Sequence, residues 1–156
     1  MTTKVKRRAP AGLRAQTALH ALAYRLSGGH LGRTLYGVPV LLLHTVGRRS
    51  GRRVSTPLMF TRDGDDFVVI ASNGGRPWHP SWYLNLKRHP EAEVELMGRR
   101  YRVRAEDVTA DEARDRLWRE MARLYPRYDE YQHKTERVIP VVRLRPLAPD
   151  AQRRGV

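Results

Sequence analysis

Short runs of β-branched and alternating apolar residues, each followed by tight-turn residues, recur through this chain and force its backbone into hairpins. Val38 to Val46 is rich in Val and Leu, which predicts a largely buried strand, and Gly47 begins a polar turn after it. Val54 to Arg62 and Phe67 to Ser72 read as two strands joined by Asp63-Gly64-Asp65-Asp66, where Asp-Gly supplies the positive φ of a tight turn. Glu93 to Leu96 and Tyr101 to Glu106 pair in the same way around Met97-Gly98, and Val138 to Leu144 reads as a closing strand. Helical periodicity intervenes at His79 to His89, where Trp82, Tyr83 and Leu86 share a face before Pro90. A longer helix buries Ala113, Leu117, Met121 and Leu124, and Thr109-Ala110-Asp111-Glu112 reads as its capping box. Five or six hairpin strands with late helices predict an antiparallel, mainly β barrel of the α+β class with helical decorations, not a parallel βαβ sheet.

The 156 residues suit one domain. Residues 1–10 read as a disordered basic leader, 11–29 as an amphipathic helix with Ala11, Ala15, Ala18, Leu22 and Leu26 on one face, 30–147 as the barrel, and 148–156 as a tail. No cysteine is present, which removes disulfides, thiolate metal sites and Cys nucleophiles. The longest apolar run, Val38 to Leu43, is far below the ~20 residues of a membrane-spanning helix, and no signal core precedes it, so a cytoplasmic location is expected.

Charge is distributed unevenly. Residues 1–53 hold eleven of the thirty Lys and Arg and none of the sixteen Asp and Glu, so most of the net +14 lies in the first third. Such a segment favours an anionic partner: nucleic acid, an anionic membrane surface, or a ligand bearing phosphate or carboxylates. Composition does not choose among these, and with only four lysines in the chain a general arginine bias is the competing explanation.

Gly47-Arg48-Arg49-Ser50-Gly51 joins converging backbone amides to arginine forks, a chemistry suited to phosphate and equally to a solvated hairpin loop. It lacks the spacing of a Walker loop or a dinucleotide fingerprint. The six histidines show no metal-ligand spacing, so no metal is expected, and no serine sits in a nucleophile elbow. Tyr125, Tyr128 and Tyr131 recur every three residues, which lines up three phenols either as proton donors on a pocket wall or as helix packing.

Taken in order, the strand, GRRSG, Thr56-Pro57-Leu58, Ala71-Ser72-Asn73-Gly74-Gly75, His79-Pro80-Ser81-Trp82-Tyr83-Leu84-Asn85-Leu86 and Leu124-Tyr125-Pro126-x-Tyr128-x-x-Tyr131-Gln132 resemble the deazaflavin-dependent nitroreductase family over residues 38–146. The resemblance implies a split β-barrel, like that of FMN-binding proteins, that binds coenzyme F420, a deazaflavin with a phosphate and a lactyl-oligoglutamate tail. It places Arg48, Arg49 and Ser50 at the phosphate and tail, and Ser55, Thr56, Pro57, Leu58 and Met59 along the adjoining strand. It gives Ile70, Ala71, Ser72 and Asn73 as a second contact segment and Ser81, Trp82, Tyr83, Leu84 and Asn85 as a third. Ser72, Tyr125, Tyr128 and Tyr131 match positions facing the substrate, with Tyr128 the implied proton donor. Two positions depart from the family pattern: Asn73 stands where a basic residue is common, and Arg53-Val54 where a Pro-Arg pair is common.

The resulting expectation is an F420-dependent oxidoreductase that passes a hydride to a flat apolar acceptor of the quinone or nitroaromatic class. Residues 1–26 are then expected to touch an anionic membrane peripherally, on its cytoplasmic side. Two rivals stand beside it: a basic non-catalytic module for nucleic acid or anionic lipid, and a sibling barrel using FMN. No nucleic-acid motif supports the first, and no nucleic-acid partner is expected.

Overall fold

The computed structural model describes residues 34–148; the sequence expectations for the leader, the helix over 11–29 and all but the first residue of the tail lie outside them. In chain order the elements are β1 (Thr34–Leu35), β2 (Val38–Val46), β3 (Arg53–Met59), β4 (Thr61–Asp63), β5 (Asp66–Ile70), a 3-10 turn (Asn73–Gly75) and α1 (Ser81–Arg88). They continue with β6 (Glu91–Leu96), β7 (Arg99–Asp107), α2 (Asp111–Leu124), α3 (Arg127–His133) and β8 (Val141–Pro146).

Every strand pairing is antiparallel, in the order β1-β2-β6-β7-β8-β5-β4, with β3 on β2. Sequence reasoning joins Val54 to Arg62 in one strand, but the chain changes partners at Phe60. Met59 still pairs with Val40 of β2, whereas Thr61 pairs with Val68 of β5. Phe60 is buried at this corner, donates its N–H to Pro39 O at 3.1 Å and meets Phe67 edge-on. One continuous stretch therefore supplies strands to both ends of the sheet and curls it into a split β-barrel.

The two-residue period of the strands divides the core. Phe67 and Val69 of β5, with Val142 and Leu144 of β8, face a cluster that holds Leu41, Leu43, Val94 and Val103 and is plugged by Trp82, Tyr83 and Leu86 of α1. Val68 and Ile70, with Val141, face the other way and are covered by Leu117 and Met121 of α2 and Tyr128 of α3. Both faces of β5 are thus buried, which is why its sequence is a continuous apolar run.

Two expected boundaries differ. The expected capping box does not form: Ala110 occupies the N-cap of α2 and no side chain caps it, because the helix begins at Asp111. Asp111 and Glu112 instead place negative charge in the first turn, where the helix dipole favours it. The last strand starts at Val141, not Val138, because Val138 is exposed and Pro140 cannot donate to the sheet.

On the outer face of β6 and β7, Glu91, Glu93 and Glu95 oppose Arg104, Arg102 and Arg100 in register. Arg143 of β8 reaches Asp63 at 2.6 Å, and its Nε lies 3.2 Å from Asp66 at an angle too poor for a hydrogen bond. The bond from Arg143 holds the Asp63 carboxyl below its ordinary range, offset in part by desolvation. A carboxyl depressed on folding stabilises the native state above its unfolded pKa, and that increment is lost as pH falls through the folded value. Asp63→Asn is therefore expected to cost roughly 1 kcal/mol after solvent screening at pH 7. In urea titrations the gap from the parent should close as the pH is taken below the ordinary carboxylate range.

Candidate active site

Gly47 and Arg52 close the loop between β2 and β3. Gly47 N–H donates to Arg52 O and Gly51 N–H to Gly47 O, each at 2.8 Å, and Ser50 Oγ accepts from Arg52 N–H at 3.2 Å. A Cβ on residue 47 would lie 2.5 Å from Ser50 Oγ and 3.2 Å from Arg52 O, so any larger residue would have to displace the Ser50 hydroxyl. The loop is fastened to α1 by Asn85, which is buried. Its Oδ1 accepts from both the backbone N–H and the Nη1 of Arg48 at 3.1 Å, while its Nδ2 donates to Thr45 Oγ1 at 3.1 Å. Arg48 Nη1 also reaches Ser81 O at 3.5 Å.

Arg48, Ser81 and Asn85, which sequence reasoning placed in two separate contact segments, are therefore one constellation. Arg53 is neutralised by Glu93 at 2.6 Å. Arg49 and Arg52 are exposed, and no protein group in the described residues engages either guanidinium. Two cations standing on a tied loop suit an anionic group, such as the phosphate and carboxylates of a coenzyme tail.

Further along β3, the Ser55 hydroxyl contacts His44 Nδ1 at 2.7 Å, and His44 Nε2 lies 3.1 Å from Glu95 Oε2. In the tautomer that donates from Nε2 to Glu95, Nδ1 accepts from the Ser55 hydroxyl. Sequence reasoning missed His44 and Glu95; the available signal was the break that His44 makes in an otherwise apolar strand. Thr56 and Pro57 are half-buried, Leu58 packs on the α1 cluster, and Met59 packs on the α2 and α3 cluster.

The second expected segment turns inward. The side chains of Ile70 and Ala71 belong to the core, so only Ser72 and Asn73 retain side-chain exposure. Asn73 adopts φ 49° and donates from Nδ2 to Trp78 O at 3.0 Å, holding the turn. Within α1, Trp82 and Tyr83 are core residues, Leu84 is half-buried and Ser81 is exposed.

The turn after Ser72 presses on the tyrosine helix. Gly75 has φ +77°, and a Cβ there would meet Tyr131 O at 2.8 Å and Tyr131 Cα at 3.0 Å. This backbone approach sets the segment from Ser72 beside α3. Tyr125, Tyr128 and Tyr131 pack with ring centroids 5.3 to 6.4 Å apart, and Tyr125 Oη lies 3.4 Å from Tyr131 Oη. Tyr36, 73% exposed, stacks on Tyr125 at 5.8 Å and extends the row to the β1–β2 turn, an addition that sequence reasoning missed. Burial pushes the Tyr128 phenol well above its ordinary pKa. Burial and a bond with Tyr125 push Tyr131 up to about 12. Both stay protonated at neutral pH, so each phenol has a proton to donate.

Arg137, also unmarked in the sequence, joins the walls. Its guanidinium donates to Ala71 O, Ser72 O and Arg76 O and meets His79 Nδ1 at 3.2 Å. Gln132 of α3 brackets it, donating to Arg137 O and accepting from Ile139 N–H. A recess of about 130 Å³ lined by Tyr83, Lys87 and Asp107 opens elsewhere along α1. It is smaller than the ~300 Å³ at which ligand pockets begin, so it does not compete as a coenzyme site. Among the described residues no group of three or more His, Asp or Glu could hold a metal ion, and no helix is long and apolar enough to cross a membrane.

Gly75→Ala should lose roughly 2 to 4 kcal/mol, combining left-handed strain with a backbone clash; thermal and urea unfolding check it. Asn85→Leu removes the clasp while keeping volume, and should leave a loop that trypsin cleaves at Arg48 or Arg49 faster than in the parent.

Residues 16–146 match the family described as F420H(2)-dependent quinone reductase. The F420H(2)-dependent quinone reductase Rv1261c of Mycobacterium tuberculosis (strain ATCC 25618 / H37Rv) is 40% identical over 127 residues, covering 80% of this chain and 85% of that protein. Among solved structures, an F420-H2 dependent reductase (FDR-A) superposes with a TM-score of 0.62 at 36% identity, covering 68% of this chain and 93% of that one. A chain solved as a domain-swapped dimer gives a TM-score of 0.64 at 33% identity, covering 85% and 96%. The arginine loop, its clasp on α1 and the phenol row beyond Gly75 thus stand in a chain that belongs to the F420H(2)-dependent quinone reductase family.

Proposed function

We propose that this deazaflavin-dependent oxidoreductase delivers a hydride from reduced coenzyme F420 to a quinone, with the loop over residues 47–52 as the seat of the coenzyme's anionic end. When bound, the coenzyme supplies the hydride. The chain's own residues bind, orient and donate. The Asn85 clasp supports this reading: it fixes Arg48, while the Arg49 and Arg52 guanidinium groups have no partner among the described residues. Ser50 adds a hydroxyl at the same turn, and Gly47 keeps the cradle narrow. The half-buried stretch over 55–59 and the surface between Ser72, Asn73 and α1 offer a wall for the ring. Ser72 and the phenols of Tyr125, Tyr128 and Tyr131 face the acceptor in this reading. Tyr128 donates a hydrogen bond to the oxygen on which charge develops, because its phenol is held neutral and makes no hydrogen bond to any described residue. Tyr131 and Ser72 assist.

The quinone acceptor is supported by the name the family and its relatives carry, and a planar ring suits a row of tilted phenols. A peripheral seat for residues 1–26 on an anionic membrane belongs to the proposal too, because membrane quinones are apolar and the acid-free first third attracts anionic headgroups.

Fluorescence titration with oxidised F420 tests the loop. Arg49→Ala and Arg48→Ala should each weaken binding roughly 10-fold or more, the worth of one charge-assisted hydrogen bond; unchanged affinity in both would remove the assignment. Tyr128→Phe should lower kcat for quinone reduction by about 100-fold while leaving coenzyme affinity intact.

A further inference from the structure

Arg137 places a positive charge inside the site wall, and none of its partners among the described residues is an acid. Nε donates to Arg76 O at 2.9 Å, Nη2 to Ser72 O at 2.7 Å, and both terminal nitrogens to Ala71 O at 3.3 Å. The remaining contact, His79 Nδ1, belongs to an imidazole that burial and this same arginine hold in its neutral form. Asp107, the carboxylate of the surrounding network, is already taken by Tyr83 Oη at 2.7 Å and Lys87 Nζ at 3.0 Å. Removing a cation from water costs free energy that carbonyl dipoles only partly return. A clip that merely tied these carbonyls together could be a neutral donor. A fixed, half-buried charge beside Ser72 instead suits a site in which negative charge arrives with the chemistry.

We infer that Arg137 is an electrostatic positioning residue for the acceptor, its charge answered when the quinone becomes anionic. A hydride, two electrons and one proton, leaves the reduced coenzyme, which is oxidised. The quinone gains it and becomes a hydroquinone monoanion. A proton from a tyrosine hydroxyl, replaced from water, then gives the neutral hydroquinone. Arg137 acts on the monoanion through the Ser72 carbonyl that it holds and through its field, without contacting the acceptor. This rests on the proposed location of the acceptor beside Ser72 and the phenol row. Two other cations stand near those phenols: Arg127 is exposed and paired with Glu130 at 3.7 Å, and Lys134 is exposed with its Nζ 5.6 Å from the Tyr131 ring, so solvent weakens both fields.

The test uses the full chain loaded with oxidised F420 and two planar probes of nearly equal shape: 2,4-dinitrophenolate, an anion, and 2,4-dinitroanisole, its neutral analogue. The parent should bind the phenolate more tightly. Arg137→Gln should erase about tenfold of that preference, the size of one charged interaction. Arg137→Lys should keep most of it, and Arg127→Gln should shift it less than Arg137→Gln does. Quinone kcat should fall in Arg137→Gln with KM little changed. Equal loss of both probes in Arg137→Gln would mark a structural clip and overturn the inference. So would a parent that shows no preference, an outcome that needs no variant to fold. Failure of the parent to bind F420 would instead strike the underlying reading, so the two failures are distinct.

Discussion

One buried amide holds the site together. Asn85 accepts twice from Arg48 and donates once to Thr45, so the end of β2, the cationic loop and α1 move as one body. Without that clasp, repulsion among Arg48, Arg49 and Arg52 would favour a more open loop. A side-chain amide suits the position because it accepts from a charged donor while giving to a hydroxyl, leaving no buried polar atom unanswered. The remaining contacts extend outward from this body. His79 at the foot of α1 meets Arg137, Arg137 grips the carbonyls after β5, and Gly75 lays that turn on Tyr131. The cationic loop and the phenol row thus belong to one continuous network.

The charge of the chain resolves into two regimes. On the later strands several arginines pair with acids across the sheet, as Arg102 and Arg104 do with Glu91 and Arg145 with Glu106, all of them exposed. Such exposed pairs are worth roughly 0 to 1 kcal/mol each and serve mainly to keep the face soluble. The loop over residues 47–52 has no acid of its own; Glu93 pairs with Arg53, just beyond the loop, and with Arg100. The imbalance in the sequence is therefore a local property of the site as well as a property of composition.

Much of this was legible beforehand because it is written in local periodicity. Val38–Val46 has the bounds its apolar run predicts, and the Asp-Gly and Met-Gly turns sit where expected. Tyr128 and Tyr131 were visible because their spacing puts them on one short helix, while Tyr125 stands before it as the extended C-cap residue of α2. What escaped were features set by partners distant in sequence. The corner at Phe60 depends on a change of partner from β2 to β5, which no local pattern encodes. The capping-box pattern was present, but the helix began one residue later than that pattern requires. Arg137 looks like any other arginine until four segments close around it, and Glu95 looks like its neighbours Glu91 and Glu93 until His44 meets it. Ile70 and Ala71 carry the sequence pattern of a contact segment, yet their side chains serve the core.

The central claim is that the tied loop over residues 47–52 receives the anionic end of F420 while the phenol row faces the acceptor. A crystal structure of the chain with oxidised F420 addresses it most directly. The account predicts the coenzyme phosphate within hydrogen-bond distance of at least one guanidinium among Arg48, Arg49 and Arg52, with the ring opening toward Ser72 and Tyr128. A phosphate bound away from that loop, or a ring lodged on the far side of α1 beside Asp107, would contradict it.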